Sequence, residues 1–294
     1  MLGIFLIVIC AALWATDALF RMPLSRTMDP GTIVFLEHII GVLATLPLFL
    51  ARTGELKKLK ASGWLAIAFI GIMGSALGTF FFTTSFRFVN PSVTILLQKM
   101  QPIFAVLGAR MLLNEKPRSD FYSWGIVAIV AAAMISLPER SLSLTPGASG
   151  NMGGALLALM AAGCWGLSTV CGKFVTGKVS FPVTAFLRLA FGLGGITLLL
   201  AVSLMSATAP TQLDSHDLRS ILYMALVPGV IALYLYYAGL KRIKASNAAF
   251  AELVFPAAAV LINWKFLGQA LTMTQLTGMG LLLTAVFFIS KGMR

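Results

Sequence analysis

Charged residues are scarce in this chain of 294 residues, because Asp, Glu, Lys and Arg together make up only 11% of it. Soluble domains contain roughly 25% of these residues. The chain is instead 59% hydrophobic, with a mean hydropathy of +0.92. A soluble core of this length cannot bury so much apolar surface, so the composition indicates an integral membrane protein.

Histidine and cysteine are also rare, with two and three residues respectively. The sequence contains no HExxH pattern, no Asp-rich loop and no GxxxxGK[ST] loop, which argues against a membrane enzyme and against a nucleotide-driven pump. Cys10, Cys164 and Cys171 lie in apolar runs without CxxC spacing, as is typical of small buried hydrophobic residues. We therefore expect no catalytic site, no cofactor and no metal site.

Acidic residues are outnumbered by basic ones, 10 to 22, which gives a net charge of +12. The basic residues fall in short clusters between apolar runs and not along one face of a domain. This distribution is typical of membrane topology signals rather than of nucleic-acid binding. We expect the lipid bilayer to surround the protein and expect no nucleic-acid partner; the sequence predicts no oligomeric state.

Ten apolar segments are long enough to cross roughly 30 Å of hydrocarbon as helices. The connections between them are short, so the predicted fold is all-α, with ten transmembrane helices. The predicted spans are 2–20, 31–51, 63–84, 92–113, 121–138, 153–174, 181–206, 218–240, 246–267 and 272–291.

The two halves of the sequence resemble each other. The stretches 102–107 and 256–261 agree at proline, alanine, valine and leucine with an offset of 154, and Trp14 and Trp165 match with an offset of 151. Fixed-period self-similarity indicates repeated architecture. We predict a first five-helix repeat at 1–140, a linker at 141–152 and a second repeat at 153–294.

The basic residues predict the orientation of these repeats. With a cytoplasmic N-terminus, 14 Lys and Arg residues fall on the inner side and 6 on the outer side, and Lys99 and Arg188 lie within spans. The positive-inside rule then places both termini in the cytoplasm. Because each repeat has an odd number of spans, the second repeat is inverted, an arrangement typical of secondary transporters.

Specific residues add a family resemblance. Pro102 lies in the fourth span, Glu115 follows thirteen residues later, and Trp124-Gly125 stands early in the fifth span. The second copy has Gln269 and Thr277-Gly278 at the last two places. Over nearly its whole length the chain resembles the EamA-type branch of the drug/metabolite transporter superfamily, and within it bacterial exporters of aromatic and other amino acids.

This resemblance implies a ten-helix fold of two inverted repeats in the bacterial inner (cytoplasmic) membrane. It also implies export of small molecules, amino acids or similar amphiphiles, by alternating access. Two alternatives stay open at this point: an exporter of drugs or organic cations, and a channel-like facilitator.

Ionisable residues inside spans are costly and need a partner or a wet cavity. Repeat alignment matches Glu37 with Arg188, and Gln98, beside Lys99, with Glu252. We predict that Glu37 pairs with Lys99 in the outer third and Arg188 with Glu252 in the inner third. Each pair is interpreted as a gate, as a structural ion pair or as a substrate contact.

Aromatic residues recur at matched positions of both repeats. Trp14 and Trp165 stand among small residues, Phe82 belongs to a run of three phenylalanines, and Tyr236 lies in the equivalent stretch of the second copy. Aromatic walls bind flat apolar groups by stacking. We predict that these four residues and Gln98 contact the substrate; packing at the membrane interface is the alternative.

Prolines stand in the fourth and ninth spans. Pro102 and Pro256 each lack a backbone donor, so a helix carbonyl needs another partner there. We predict a helix break at each proline, which either lines a cavity or forms a fixed kink.

Overall fold

The computed structural model describes residues 2–113, 119–136, 148–204, 213–240, 242 and 254–291. Its regular elements are helical, which confirms the predicted all-α membrane class. In the first half, α1 is Leu2–Ala15 continued by Asp17–Thr27, α2 is Pro30–Leu50, α3 is Ala61–Ser85, α4 is Pro91–Gln98 continued by Gln101–Leu113, and α5 is Asp120–Ser136.

The second half contributes a matching set of helices. Six of the described helices in the chain have the length and hydropathy needed to cross a membrane. In the second half, α6 is Ala148–Thr176, α7 is Phe181–Leu204, α8 is Ser215–Met224 continued by Ala225–Ile231 and Ala232–Leu240, α9 is described from Val254 to Leu267, and α10 is Met273–Lys291.

The end of α1 differs from the prediction. The sequence placed the end of the first span at residue 20, but the helix pauses at Thr16 and continues to Thr27. At the pause, the Thr16 hydroxyl donates to Leu13 O at 2.6 Å. The polar residues that end the apolar run remain helical because Asp17 and Arg21, four residues apart, pair along one helix face.

The break in α4 lies just ahead of Pro102. Lys99 and Met100 donate their backbone N–H groups to Leu96 and Leu97 in tight turns, and the helix restarts at Gln101. Pro102 is then the second helical residue, where a missing N–H costs nothing. Residues 243–253, just ahead of α9, lie outside the described residues, so the corresponding break at Pro256 stays a prediction. The linker predicted at 141–152 lies partly outside them too, and α6 already begins at Ala148.

The two halves interlock instead of standing side by side. Helix α6 packs on α3 and α4 of the first half, and α1 packs on α8 and α9 of the second half. The remaining helices pair across the halves, α2 with α7 and α5 with α10. The first helix of each repeat is therefore held by the third and fourth helices of the other repeat.

Glycines permit the closest of these approaches. A Cβ atom on Gly71 of α3 would collide with Phe191 Cβ and would lie 2.9 Å from Arg188 O of α7. A Cβ atom on Gly78 would lie 2.8 Å from Trp165 Nε1. The small-residue face of α3 thus seats both α7 and the Trp165 ring.

Two π-helical segments interrupt corresponding helices. Ile70–Leu77 lies in the middle of α3 and Ala225–Ile231 lies in the middle of α8. A π segment widens the helix by one residue per turn and often marks a functional position. Because the two segments are equivalent in the repeats, this distortion is a property of the repeated unit.

Candidate substrate site

Each π segment accepts a hydrogen bond from a tryptophan of the other repeat. Trp14 Nε1 donates to Pro228 O at 3.0 Å, and Trp165 Nε1 donates to Gly74 O at 2.7 Å. The tryptophans match at an offset of 151 and their acceptors at an offset of 154. The two contacts are thus one interaction made twice, and they fix both indole rings at the interface between the repeats.

The two indoles face one aromatic cluster. Both pack against a buried group that includes Phe82 and Phe255. The ring of Trp14 lies 5.6 Å from Tyr236 and 6.4 Å from Phe255, while Trp165 lies 5.3 Å from Phe82. Edge and tilted contacts at these distances are favourable for aromatic rings. The structure therefore brings together all four aromatic residues that the sequence singled out.

The break in α4 adds polar groups to this aromatic cluster. The Lys99 ammonium lies 4.5 Å from the centroid of Phe255, close enough for a cation–π contact. Beside it, Gln98 Nε2 donates to Gln101 Oε1 at 3.2 Å, and Gln101 Nε2 donates to Thr169 Oγ1 at 3.3 Å. A cation and two amides thus lie next to a cluster of aromatic rings.

One polar atom in this group is left over. Gln98 Oε1 is buried and finds no hydrogen-bond partner in the part of the chain that the structure describes. Buried acceptors without a partner are rare and costly. At the other end of the group, Thr169 is exposed although it lies within the membrane-spanning helix α6. We define the α4-break site as Gln98, Lys99, Gln101, Trp14, Tyr236 and Phe255.

A second polar cluster lies at the C-terminal end of α1, the end that the predicted topology places on the outer side. Arg21 binds both oxygens of Asp17, at 2.5 and 2.9 Å, and both oxygens of Glu37, at 2.6 and 2.9 Å. It also donates to Thr83 Oγ1 at 2.8 Å. These bonds join α1, α2 and α3. We call Asp17, Arg21, Glu37 and Thr83 the outer polar cluster.

This cluster corrects one predicted ion pair. Glu37 binds Arg21 and not Lys99, because α1 extends to Thr27 and carries Arg21 to the level of Glu37. Lys99 lies instead against the ring of Phe255. The other predicted pair joins Arg188 to Glu252, and Glu252 lies outside the described residues.

Several residues of the candidate sites were missed by the sequence analysis. Arg21 was assigned to a loop, although its spacing of four from Asp17 was a signal for an ion pair on a helix. Phe255 and Gln101 flank predicted residues but were not selected. No sequence pattern indicated that Gly74 and Pro228 would offer carbonyl oxygens, since both depend on π segments that form only in the packed structure.

His38 is a further buried polar residue on α2. Its Nδ1 lies 2.7 Å from Val34 O, and its Nε2 lies 2.9 Å from Ser75 Oγ in the π segment of α3. Since a carbonyl only accepts, Nδ1 carries the hydrogen toward Val34. The imidazole thereby joins α2 to the π segment and is satisfied at both nitrogens, as is typical of a structural histidine.

Two carboxylates outside the membrane hold helix ends. Glu55 Oε2 accepts the backbone N–H of Ser180 at 2.5 Å, which links the α2–α3 connection to the start of α7. This bond lowers the pKa of Glu55. Asp214 accepts the N–H groups of His216 and Asp217 at the start of α8, and these bonds lower the pKa of Asp214. Both carboxylates act as helix caps.

The family follows from comparison with known proteins. The model of the EamA-like transporter family matches residues 1–137 and again 152–291. The chain belongs to this family. It is therefore a secondary transporter of the drug/metabolite transporter superfamily and not an enzyme, as the sequence predicted. A solved crystal structure matches with a TM-score of 0.64 over 96% of this chain and 94% of its own, at 19% identity, which supports the fold.

Named relatives include transporters of several bacteria. The riboflavin transporter ImpX of Fusobacterium nucleatum is 28% identical over 98% of this chain and 97% of its own length. The uncharacterized inner membrane transporter YedA of Escherichia coli is 26% identical over 78% and 71%. Protein PecM of Dickeya dadantii is 25% identical over 79% and 76%. These relatives do not link the chain to amino acids, the substrates that the sequence predicted.

Proposed function

We propose that this transporter carries a flat, uncharged aromatic solute through the α4-break site, and that riboflavin is its first candidate substrate. The observation that carries the proposal is the placement of Lys99, next to Gln98, over the ring of Phe255. Phe255 packs against Trp14, which in turn packs against Tyr236. Small-molecule sites are mainly apolar walls with a few polar groups that fix orientation.

The chemistry of the site fits a flavin ring. The isoalloxazine system is planar, so it stacks on aromatic side chains. Its carbonyl and imide edge both accepts and donates hydrogen bonds, which matches the amides of Gln98 and Gln101 and the ammonium of Lys99. The unpartnered Gln98 Oε1 is the acceptor available for an imide N–H. The riboflavin transporter that resembles this chain supports the same substrate.

Aromatic amino acids are the second candidate, as the sequence resemblance implied. Lys99 favours them because it is a partner for a carboxylate next to aromatic rings. Drugs and organic cations are the remaining alternative that the sequence left open.

Alternating access is the proposed mode of transport, with export as the direction implied by the sequence resemblance. Hydrogen bonds between the halves join the outer ends of α4 and α9: Asn90 Nδ2 donates to Ala270 O at 3.0 Å, and Asn263 Nδ2 donates to Ser92 Oγ at 3.1 Å. Opening the outer side must separate these partners. In a cell, we propose a bacterial inner membrane protein with both termini in the cytoplasm.

Counterflow in proteoliposomes tests the substrate. Vesicles that contain only this protein are loaded with unlabelled riboflavin, tryptophan or a quaternary ammonium ion, and entry of the labelled compound is followed. We expect riboflavin to exchange fastest. Lys99→Gln should slow exchange, whereas Lys178→Gln, which removes another lysine over a phenylalanine ring at 3.9 Å, should not.

Other outcomes of this assay separate the alternatives. Exchange of tryptophan without riboflavin would replace the first candidate with the second. Flux that never saturates and shows no counterflow would indicate a channel and contradict the proposal.

The direction of transport is measured by loading substrate on one side only, in vesicles in which the orientation of the protein is known. Labelling of a cysteine at position 213, in the exposed stretch before α8, tests the orientation, since we expect reaction only from outside the cell.

A further inference from the structure

We propose that the outer polar cluster is a proton-binding site, in which one proton is held by the Asp17 and Glu37 carboxylates together. The cluster contains two carboxylates and one guanidinium. Without a bound proton it carries one net negative charge within the membrane-spanning helices, and with one it is neutral. Its coupling to transport rests on the proposed function, but the site itself does not.

The hydrogen bonds of Arg21 show that this charge is not offset within the cluster. An arginine side chain has five N–H donors. The guanidinium makes five bonds: two to Asp17, two to Glu37 and one to Thr83. Arg21 is therefore saturated, and it neutralises one of the two carboxylates.

Burial makes the remaining charge costly. The side chains of Arg21, Asp17 and Glu37 are only 6%, 14% and 10% exposed. A net charge at such a place in a membrane protein requires a partner, a cavity or a proton. Two carboxylates that share one site resist being ionised together. Uptake of one proton from the outer water removes the charge and weakens one carboxylate–Arg21 bond.

Charged groups on the neighbouring helices bond elsewhere. Arg87, just after α3, donates to Ser25 O and Met28 O, and Tyr223 of α8 bonds to Thr16 Oγ1 at 2.8 Å. Lys265 of α9 lies over its neighbour Phe266. His38 of α2 bonds to Val34 and Ser75, with Arg188 of α7 and Arg21 of the cluster within electrostatic range.

The remaining charged groups of these helices lie at their outer ends. Asp29 caps α2, and Asp217 donates its backbone N–H to the Asp214 cap. Arg219 bonds within its own helix to Ser215. Other groups are Arg26 at the end of α1 and His216 at the start of α8. Within the described residues, the two carboxylates thus form ion pairs with Arg21 alone.

The outer polar cluster also lies at a position where proton binding can be coupled to helix movement. It joins α1, which packs with α8 and α9, to α2 and α3. A proton that weakens one carboxylate–Arg21 bond loosens the attachment of α1 to α2. Proton binding from the outside and movement of the helices around the α4-break site are then linked.

Infrared titration of the purified protein tests the proton site without any substrate. On acidification the wild type should show the C=O stretching band of a protonated, buried carboxyl group. Glu37→Gln and Asp17→Asn should each remove the band, because the single remaining carboxylate is balanced by Arg21. Asp214→Asn, at an exposed cap, should leave it unchanged. If Asp17→Asn does not fold, Glu37→Gln decides. Identical spectra in the wild type and Glu37→Gln would overturn the proposal.

Transport in proteoliposomes tests the coupling, with riboflavin as the probe. A pH gradient should change net flux severalfold in the wild type and leave Glu37→Gln unaffected, while counterflow continues in both. Wild-type flux that ignores the gradient would contradict the coupling. Absence of riboflavin flux in every form would contradict the proposed substrate, and the infrared result would still decide the proton site.

Discussion

Trp14 of the first repeat donates its indole N–H to Pro228 O in the π segment of the second repeat, at 3.0 Å. The reverse contact, from Trp165 to Gly74 O at 2.7 Å, completes a pseudo-symmetric pair. A π segment leaves a carbonyl that the helix does not use fully. In a membrane such a group needs a donor from another helix. The tryptophans therefore both shape the site and satisfy the distorted helices beside it.

Removing the indole N–H tests this structural role. Trp14→Phe and Trp165→Phe keep an aromatic ring but leave a buried carbonyl unsatisfied. We expect each to lower the free energy of unfolding by about 1–3 kcal/mol, measured by denaturant titration in detergent. Trp264→Phe is the control, because Trp264 is 62% exposed and its loss should have no comparable effect. Equal stabilities in all three variants would mean that the hydrogen bonds contribute nothing.

The outer polar cluster predicts an order of stabilities. Arg21→Gln leaves two carboxylates buried without a cation, and we expect a loss of about 3–5 kcal/mol. Glu37→Gln leaves a neutral pair of Asp17 with Arg21 and should cost less. The double variant Asp17→Asn with Glu37→Gln leaves an unpaired guanidinium and should be worse than either single change. A thermal unfolding series on the four variants measures the order, and an Arg21→Gln variant as stable as Glu37→Gln would contradict it.

Close packing of α3 on α7 gives a steric prediction. Gly71→Ala places a methyl group against Phe191 and 2.9 Å from Arg188 O, so we expect destabilisation of about 1–3 kcal/mol from overpacking. Gly194→Ala is a matched control on α7, since a Cβ atom there meets nothing within 4 Å. Chemical denaturation of both variants measures their free energies of unfolding. An unchanged Gly71→Ala protein would mean that the two helices are further apart than described.

The hydrogen bond between Glu55 and Ser180 predicts a pH dependence. The Ser180 N–H lowers the pKa of Glu55 below its ordinary value of 4.5. The bond therefore contributes fully above that value and is lost as the pH falls through the lower, folded value. Hydrogen exchange at the start of α7 should speed up on acidification in the wild type, after correction for the intrinsic rate. In Glu55→Gln this acid-dependent part should be absent; if it persists, another group controls the segment.

The extent to which sequence predicted the structure differs from residue to residue. Hydropathy predicts the positions of most helices, and repeat alignment predicts that Trp14 and Trp165 are equivalent. Hydropathy and internal repetition are both properties of the sequence itself. The partner of Glu37 did not follow, since it depends on where α1 ends. Arg21 holds the end of α1 in place through its bonds to Asp17 and Glu37. From its polarity alone, Arg21 was assigned to a loop.

The candidate site, too, could be predicted only in part from the sequence. Aromatic residues and Lys99 could be selected by type and position. Their grouping could not be predicted, because the break of α4 at Lys99 and Met100 brings Lys99 against α9 and Gln101 against α6. Likewise, the π segments arise from packing between helices, and no local pattern marks them. Glu252 lies outside the described residues, and its pairing with Arg188 stays a prediction.

Protection of a single cysteine by riboflavin tests the central claim most directly. Thr169 is exposed and bonds to Gln101 beside the α4-break site, so Thr169→Cys, in a protein with its three native cysteines replaced by alanine, reports on the site. We expect riboflavin to slow reaction of this cysteine with a soluble thiol reagent, and Lys99→Gln to reduce that protection. Leu213→Cys, in the exposed stretch before α8, should react independently of riboflavin. Unprotected reaction of Thr169→Cys at saturating riboflavin would contradict the proposed site.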